Sequence, residues 1–303
     1  MRSLVEAGDS QALANRFLDR IILMVEGPGD VNGFRKLAGP AMLADYEFKL
    51  PLENEGGCTA VQLRVRKERD ENGNKKVFGL LDGESAAGLG AVVDLLRCEE
   101  PMFETGRAEH DGLIFLSGHE FENLFFAHVD VCAVLAAHCR LSGMDDATPA
   151  RLSDQLEDLT RRFFGAAMFK YTSLDAAVGK LGVKIMNTWF FGSEPDLKSI
   201  LCKAKAEVVR LGGDWPTFLG QLFAITRILR AHILSLPPNP ADRRPRLLRL
   251  ADGKAILHYL RTGMSAGQEV EGHLMRELLG SAYPETFQAE LQQRTKSPET
   301  IVT

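Results

Sequence analysis

Five apolar residues, Ile21 to Val25, run without a polar break into Glu26-Gly27-Pro28-Gly29-Asp30. An apolar run of that length, closed by turn residues, predicts a buried strand. Asp30 is a capping candidate for a helix through about Leu37. Tyr46 to Leu52 alternates and predicts a second strand, stopped near Pro51. Val77 to Leu81 is another buried run, ending at Asp82-Gly83-Glu84, and Gly112 to Leu116 is a further one. The latter ends at Ser117-Gly118-His119-Glu120-Phe121-Glu122-Asn123, where a helix is expected to begin. Short helices are also expected at residues 11–20, behind Ser10, and near Leu89 to Arg97. The segment Cys58 to Arg69 reads two ways. Alternation of Val61, Leu63 and Val65 with polar neighbours, and Asn72-Gly73 beyond, fit a hairpin. A basic helix after Gly56-Gly57 fits equally, and spacing alone does not choose.

From about Leu124 the period changes to that of helices, as in Val129–Leu141, Leu152–Phe164, Leu197–Leu211 and Phe218–Leu234. Pro237-Pro238-Asn239-Pro240 reads as a stiff connector, and a helix is expected again after Asp252-Gly253-Lys254. Residues 292–303 are polar and expected to fray. No internal repeat is visible. The pattern gives an α/β front half with a mostly parallel sheet, residues 1–126, and a mainly helical back half, residues 127–303.

Composition narrows the class. The 303 residues are 45% hydrophobic and 25% charged, ordinary for a chain that buries a core. The formal net charge of −5 supplies no global field for nucleic acid, so any such binding must rest on local patches. No apolar run reaches bilayer length, and the first residues, with Glu6 and Asp9, lack a signal-peptide layout. The five cysteines are scattered without a C-x-x-C pair, so neither a disulfide framework nor a zinc ribbon is indicated. A reducing cytoplasm is the expected compartment.

The candidate chemistry lies where strands end. Val25 runs into Glu26, Leu81 into Asp82 and Glu84, and Leu116 toward Glu120 and Glu122. Parallel strands put their carboxyl ends on one edge, so acids remote in sequence can share a site. Carboxylates brought that close need a cation, and hard oxygen ligands suit Mg²⁺ or Mn²⁺. Taken singly, each acid is equally a solvated turn residue; their recurrence at strand ends is what points to a shared centre.

These residues meet a known pattern. VEGPGD after one buried strand and LLDGE after a later one resemble the TOPRIM domain of primases, topoisomerases and OLD-type nucleases. The resemblance implies a Rossmann-like fold over about residues 18–126, with the first-strand glutamate and an Asp-x-Asp pair coordinating a divalent metal. It places Glu26, Asp82 and Glu84 on those roles, with Asp30 beside Glu26. Glu84 departs from the pattern by one methylene. FENLFF after His119-Glu120, with a later Gly253-Lys254, resembles the compact TOPRIM effectors of bacterial anti-phage defence of the PARIS type. Those work with an ABC-type ATPase partner. The likeness implies a helix at Cys58 to Arg69. It also implies a toxic nuclease cutting RNA, tRNA in particular, or DNA. Glu120 or Glu122 would complete the site or orient water, and the protein would be a homodimer. Asp30, His119 and Lys254 are candidates for phosphate contacts.

Other readings are weaker. Neither G-x-x-x-x-G-K-[ST] nor a G-x-G-x-x-G after a strand is present. His128, Cys132, His138 and Cys139 are zinc-ligand types, but along one helix they point in different directions. Arg64, Arg66, Lys67, Arg69, Lys75 and Lys76 form one basic cluster, and Arg243, Arg244, Arg246 and Arg249 another. They would matter for phosphate only if they flank the acids. Arg162-Phe163-Phe164 and Trp189-Phe190-Phe191 mix charge and rings, a pattern that packing explains as well as base stacking. The four tyrosines (Tyr46, Tyr171, Tyr259, Tyr283) come without a breakage domain, and no primase zinc module fits. The alternative from another class is a non-catalytic adaptor that kept the fold for interaction.

Overall fold

The computed structural model describes residues 20–51, 56–83, 103–105, 112–116, 118, 120–141, 148–175, 196–235, 239, 244, 247–248, 251–262 and 269–295. The helices expected at 11–20 and Leu89–Arg97 lie outside these residues, as do Trp189-Phe190-Phe191 and all of the proline connector except Asn239. The chain divides into two compact units. One takes the described parts of Met1–Asp82, Met102–Leu116 and Leu279–Thr303, the other those of Gly83–Pro101 and Ser117–Leu278.

The first unit is built on a five-stranded sheet. Its strands are β1 (Ile21–Val25), β2 (Tyr46–Lys49), β3 (Val77–Leu81), β4 (Phe103–Thr105) and β5 (Leu113–Leu116), in the spatial order β2-β1-β3-β5-β4. Four strands are parallel, and β4 closes one edge antiparallel to β5. β3 and β5 are buried along their whole length, which is why they read as unbroken apolar runs. β4 spans three residues, too short to show a period.

Register places the two covering helices. Leu23 pairs with Phe48, and Phe48 stacks 6.2 Å from Phe34 of α1 (Pro28–Met42). Met24, on the alternate side, pairs with Gly79. A Cβ added at Gly79 would lie 2.9 Å from Val61 and 3.3 Å from Val65 of α2 (Cys58–Arg66). Successive strand residues face opposite sides, so α1 and α2 cover opposite faces of the sheet.

The segment 58–69 is therefore a helix, prolonged by a π-turn at Lys67–Glu71. Val61 and Val65 are buried one turn apart while Leu63 is 62% exposed. The apparent strand alternation came from an i, i+4 pair with an exposed leucine between its members. α1 begins at Pro28, with Gly27 in the cap position and no side-chain cap. Asp30 is thus not the cap but lies in the first turn, two residues past the observed start, where its charge still favours the helix dipole.

The last helix belongs to this unit. Residues Tyr283–Thr295 are helical with Tyr283, Phe287, Leu291 and Thr295 buried, so the fraying expected from residue 292 does not begin before Thr295. Phe287 stacks 5.8 Å from Phe34, and the Tyr46 hydroxyl is 2.7 Å from that of Thr295. α1 kinks where Gly39 takes φ 67 ahead of Pro40, and Gln288 donates to the carbonyl of Leu37 at 3.0 Å. The outgoing chain thereby bonds a carbonyl next to that kink.

The second unit, among its described residues, is helical. It holds α3 (Asn123–His128), α4 (Val131–Leu141), α5 (Pro149–Asp175), α6 (Leu197–Arg210), α7 (Trp215–Ser235), α8 (Gly253–Thr262) and α9 (Glu269–Gly280); the sheet unit's last helix is α10. Local caps set several starts. Asp130 accepts from Ala133 N–H, Asp196 from Lys198 and Ser199 N–H, and Asp214 from Thr217 N–H. Phe169, Ile200, Ala204, Val208, Phe218 and Leu222 form a core shared by α5, α6 and α7. No described helix is long and apolar enough to cross a membrane.

Candidate functional site

The chain leaves β1 toward β2 on one side and returns through α2 to β3 on the other. The carboxyl ends of β1 and β3 are therefore the point where the strand order reverses, the usual place for a ligand in an open parallel sheet. Val25 pairs with Leu80, so the residues that follow these strands stand side by side. Asp82 N–H donates to Glu26 Oε1 at 3.0 Å, and both residues are half-buried. The two acids, 56 positions apart in sequence, share one rim.

Backbone neighbours fix Glu26. Gly57 N–H donates to its carbonyl at 2.8 Å, and a Cβ added at Gly56 would meet that carbonyl oxygen at 2.6 Å. Gly57 takes φ 90, open mainly to glycine. Gly56-Gly57 thus lets α2 start against the end of β1, a role that the pattern of acids gave no means of seeing. The carboxylate of Asp30 bends back over the cap, 3.0 Å from where a Cβ on Gly27 would stand. Pro28 and Gly29 are exposed, and the space beside Gly29 is open. The rim therefore carries two acidic residues, Glu26 and Asp82, beside an open glycine turn, and their carboxylates are hard oxygen donors. That chemistry fits Mg²⁺ or Mn²⁺. Glu84, the third expected ligand, and His119 lie outside the described residues. Among the described residues, no group of three His, Cys, Asp or Glu is assembled for a metal.

Glu120, Glu122 and Lys254 meet in the helical unit. Glu120 Oε2 accepts from Lys254 N–H at 3.1 Å, and Lys254 Nζ is 4.0 Å from Glu122. Asn123, 5% exposed, ties the two segments together. Its Oδ1 accepts from Glu120 N–H at 2.9 Å, and its Nδ2 donates to the carbonyls of Ala251, at 3.0 Å, and Leu248. A Cβ on Gly253 would fall 2.7 Å from Asn123 Oδ1. FEN and Gly-Lys, remote in sequence, are thus two halves of one interlock. Asn123 is the residue that the acids overshadowed, although it stands inside the same run.

The basic cluster at 64–76 does not flank the acids. α2 starts beside Glu26 and runs away from the carboxyl rim, so the cluster ends where β3 begins. Arg69 is 7% exposed, donates to the carbonyls of Lys75 and Val77, and lies 4.9 Å over the Phe78 ring. Arg64 pairs with buried Glu68 at 2.7 Å. Of the other cluster only Arg244 is described, and it pairs with Glu157 and Ser153. Arg162 pairs with Asp158, and Phe163 is buried near Tyr259.

Three of the four zinc-type residues, Cys132, His138 and Cys139, are buried. His128 sits on α3 rather than α4. Burial first, and the Asp130 carboxylate second, push the Cys132 thiol up to about 11, so it stays protonated and a poor ligand at neutral pH. All described cysteines are free thiols.

Comparison with protein-family models, with curated proteins and with solved structures returns no match for this chain.

Proposed function

We propose that the chain is a metal-dependent nuclease of TOPRIM type that hydrolyses phosphodiester bonds in RNA, such as tRNA, or in DNA. The observation that carries this reading is the pairing of Glu26 with Asp82 at the reversal point of a parallel sheet. Glu26 and Asp82 would hold Mg²⁺ or Mn²⁺, with Glu84 as the next acid in the chain. When bound, the ion supplies a Lewis acid for the phosphate and lowers the pKa of water. Glu26 stands at the end of a rigid buried strand, and its Oε1 is held by Asp82 N–H. The exposed Gly27-Pro28-Gly29 turn puts no bulky side chain in the way of a phosphate backbone. A toxic effector of anti-phage defence, dimeric and restrained by an ABC-type ATPase, is the setting that the sequence resemblance suggests.

The second reading is a non-catalytic adaptor. It is favoured by the same hydrogen bond, since a glutamate that only ties β1 to β3 needs no metal. Glu26→Gln separates the two, because the amide oxygen can still accept from Asp82 N–H while the charge is gone. For a nuclease, Glu26→Gln and Asp82→Asn leave the melting temperature unchanged. They weaken Mn²⁺ binding, read by paramagnetic resonance, and lower cleavage of total RNA or plasmid DNA about a hundredfold or more. Toxicity on expression alone disappears with them. Cleavage that survives Glu26→Gln overturns the site assignment, and an intact chain that neither binds Mn²⁺ nor cuts overturns the nuclease.

A further inference from the structure

Five large apolar side chains stand more than a third exposed among the described residues, and three of them are on α6 and α7: Leu197 at 66%, Val209 at 58% and Phe223 at 62%. Single exposed apolar residues need no explanation, but the most exposed of them, Leu197, lines a groove. Leu197 and Leu201, one turn apart on α6, form its floor with Trp215, the first residue of α7. The groove is open, with a volume of about 530 Å³. Trp215 is half-buried, its ring stacked 5.7 Å from buried Phe218, so the floor is rigid. Lys198 and Lys205 are exposed and line it. Asp196, the one carboxylate among the described lining residues, is turned onto the start of α6, where it accepts from the N–H groups of Lys198 and Ser199.

We propose that this groove docks an acidic amphipathic helix of a partner protein. Its apolar side chains would lie on Leu197, Leu201 and Trp215, and its glutamates or aspartates would face Lys198 and Lys205. Charge chooses the occupant. The chain as a whole is acidic, at −5, yet the lining of this groove is cationic. A second copy seated on the same face would set one cationic patch against another, because a two-fold contact uses the same patch on both subunits. The proposal is independent of the nuclease reading, since none of its residues belongs to the β1–β3 rim.

The chain has two tryptophans, so Trp189→Phe leaves Trp215 as sole reporter in the full-length protein. Three probes are titrated: a leucine-striped synthetic helix with glutamate flanks, the same helix with lysine flanks, and vesicles of equal parts phosphatidylserine and phosphatidylcholine. The acidic helix is expected to shift Trp215 emission to the blue and saturate, with a Kd at least about tenfold below that of the lysine-flanked helix. K198E with K205E, both exposed and checked for unchanged helicity, inverts that preference. Equal response to both helices, no saturation with the acidic one, or a shift produced by vesicles alone overturns the proposal. A shift that grows with protein concentration in the absence of any probe also overturns it, in favour of a second copy.

Discussion

Glu26 and Arg69 lie at opposite ends of one sheet, and each is a charged side chain held by backbone groups. Glu26 accepts an N–H at the carboxyl rim, and Arg69 donates to two carbonyls at the far end. Arg69 also sets its neighbour: a Cβ on Gly112, at φ 86, would lie 2.5 Å from its side chain. A run of basic letters gave no sign that one of them was interior. Burial has a second consequence at this scale. Cys132 is raised from 9.0 to about 11, and burial lifts the Tyr283 hydroxyl well above its usual value. Below their ordinary, unfolded-chain values both groups are neutral in the folded and unfolded chain alike, so their contribution is intact at neutral pH. Above pH 9 the unfolded chain releases its thiol proton first, and stability falls up to about pH 11. Thermal melts from pH 8 upward should show a declining Tm, with a shallower decline in Cys132→Ala.

At the scale of elements, the strands that define the rim were legible and the helix beside them was not. β1, β3 and β5 are fully or nearly buried, so their apolar runs have no competing explanation. α2 was ambiguous because two buried valines with an exposed leucine between them satisfy both periods. The structure makes that difference measurable. In a hairpin, Val61, Leu63 and Val65 would share one face and respond alike to charge. On the helix, Leu63→Lys should change stability by less than about 0.5 kcal/mol, whereas Val65→Lys buries an unpaired charge and costs more than about 3 kcal/mol. Denaturant unfolding of the two variants reads this directly. The acids at the ends of β1 and β3 were visible for the same reason as the strands. The Asn123–Gly253 interlock was not, because hydrogen bonds of a buried amide to carbonyls more than a hundred positions away leave no local period.

For the molecule as a whole, the two compact units do not follow a single cut of the chain into an α/β front and a helical back, since the described parts of Gly83–Pro101 and Ser117–Leu278 group with the helices. Leu279–Thr303 groups with the strands, and α10 lays Tyr283, Phe287 and Leu291 into their core. The stripe at i, i+4 and i+8 was present in the sequence, diluted by glutamines and glutamates around it. Burying three such side chains contributes about 5 kcal/mol or more, comparable with the whole stability of a small domain. A chain ending at Ser281 should therefore lose the cooperative unfolding transition of the sheet unit while the far-ultraviolet signal of the helical unit persists. It should also lose any activity seated at Glu26.

The order of synthesis gives α10 a further meaning. In the order of synthesis the strands come before the helix that closes over them, with residues 117–278 of the second unit emerging in between. The Glu26–Asp82 rim is thus supported by a complete core only after Thr295 has emerged, and a nascent chain that stops short of α10 carries its acids on an unsealed sheet.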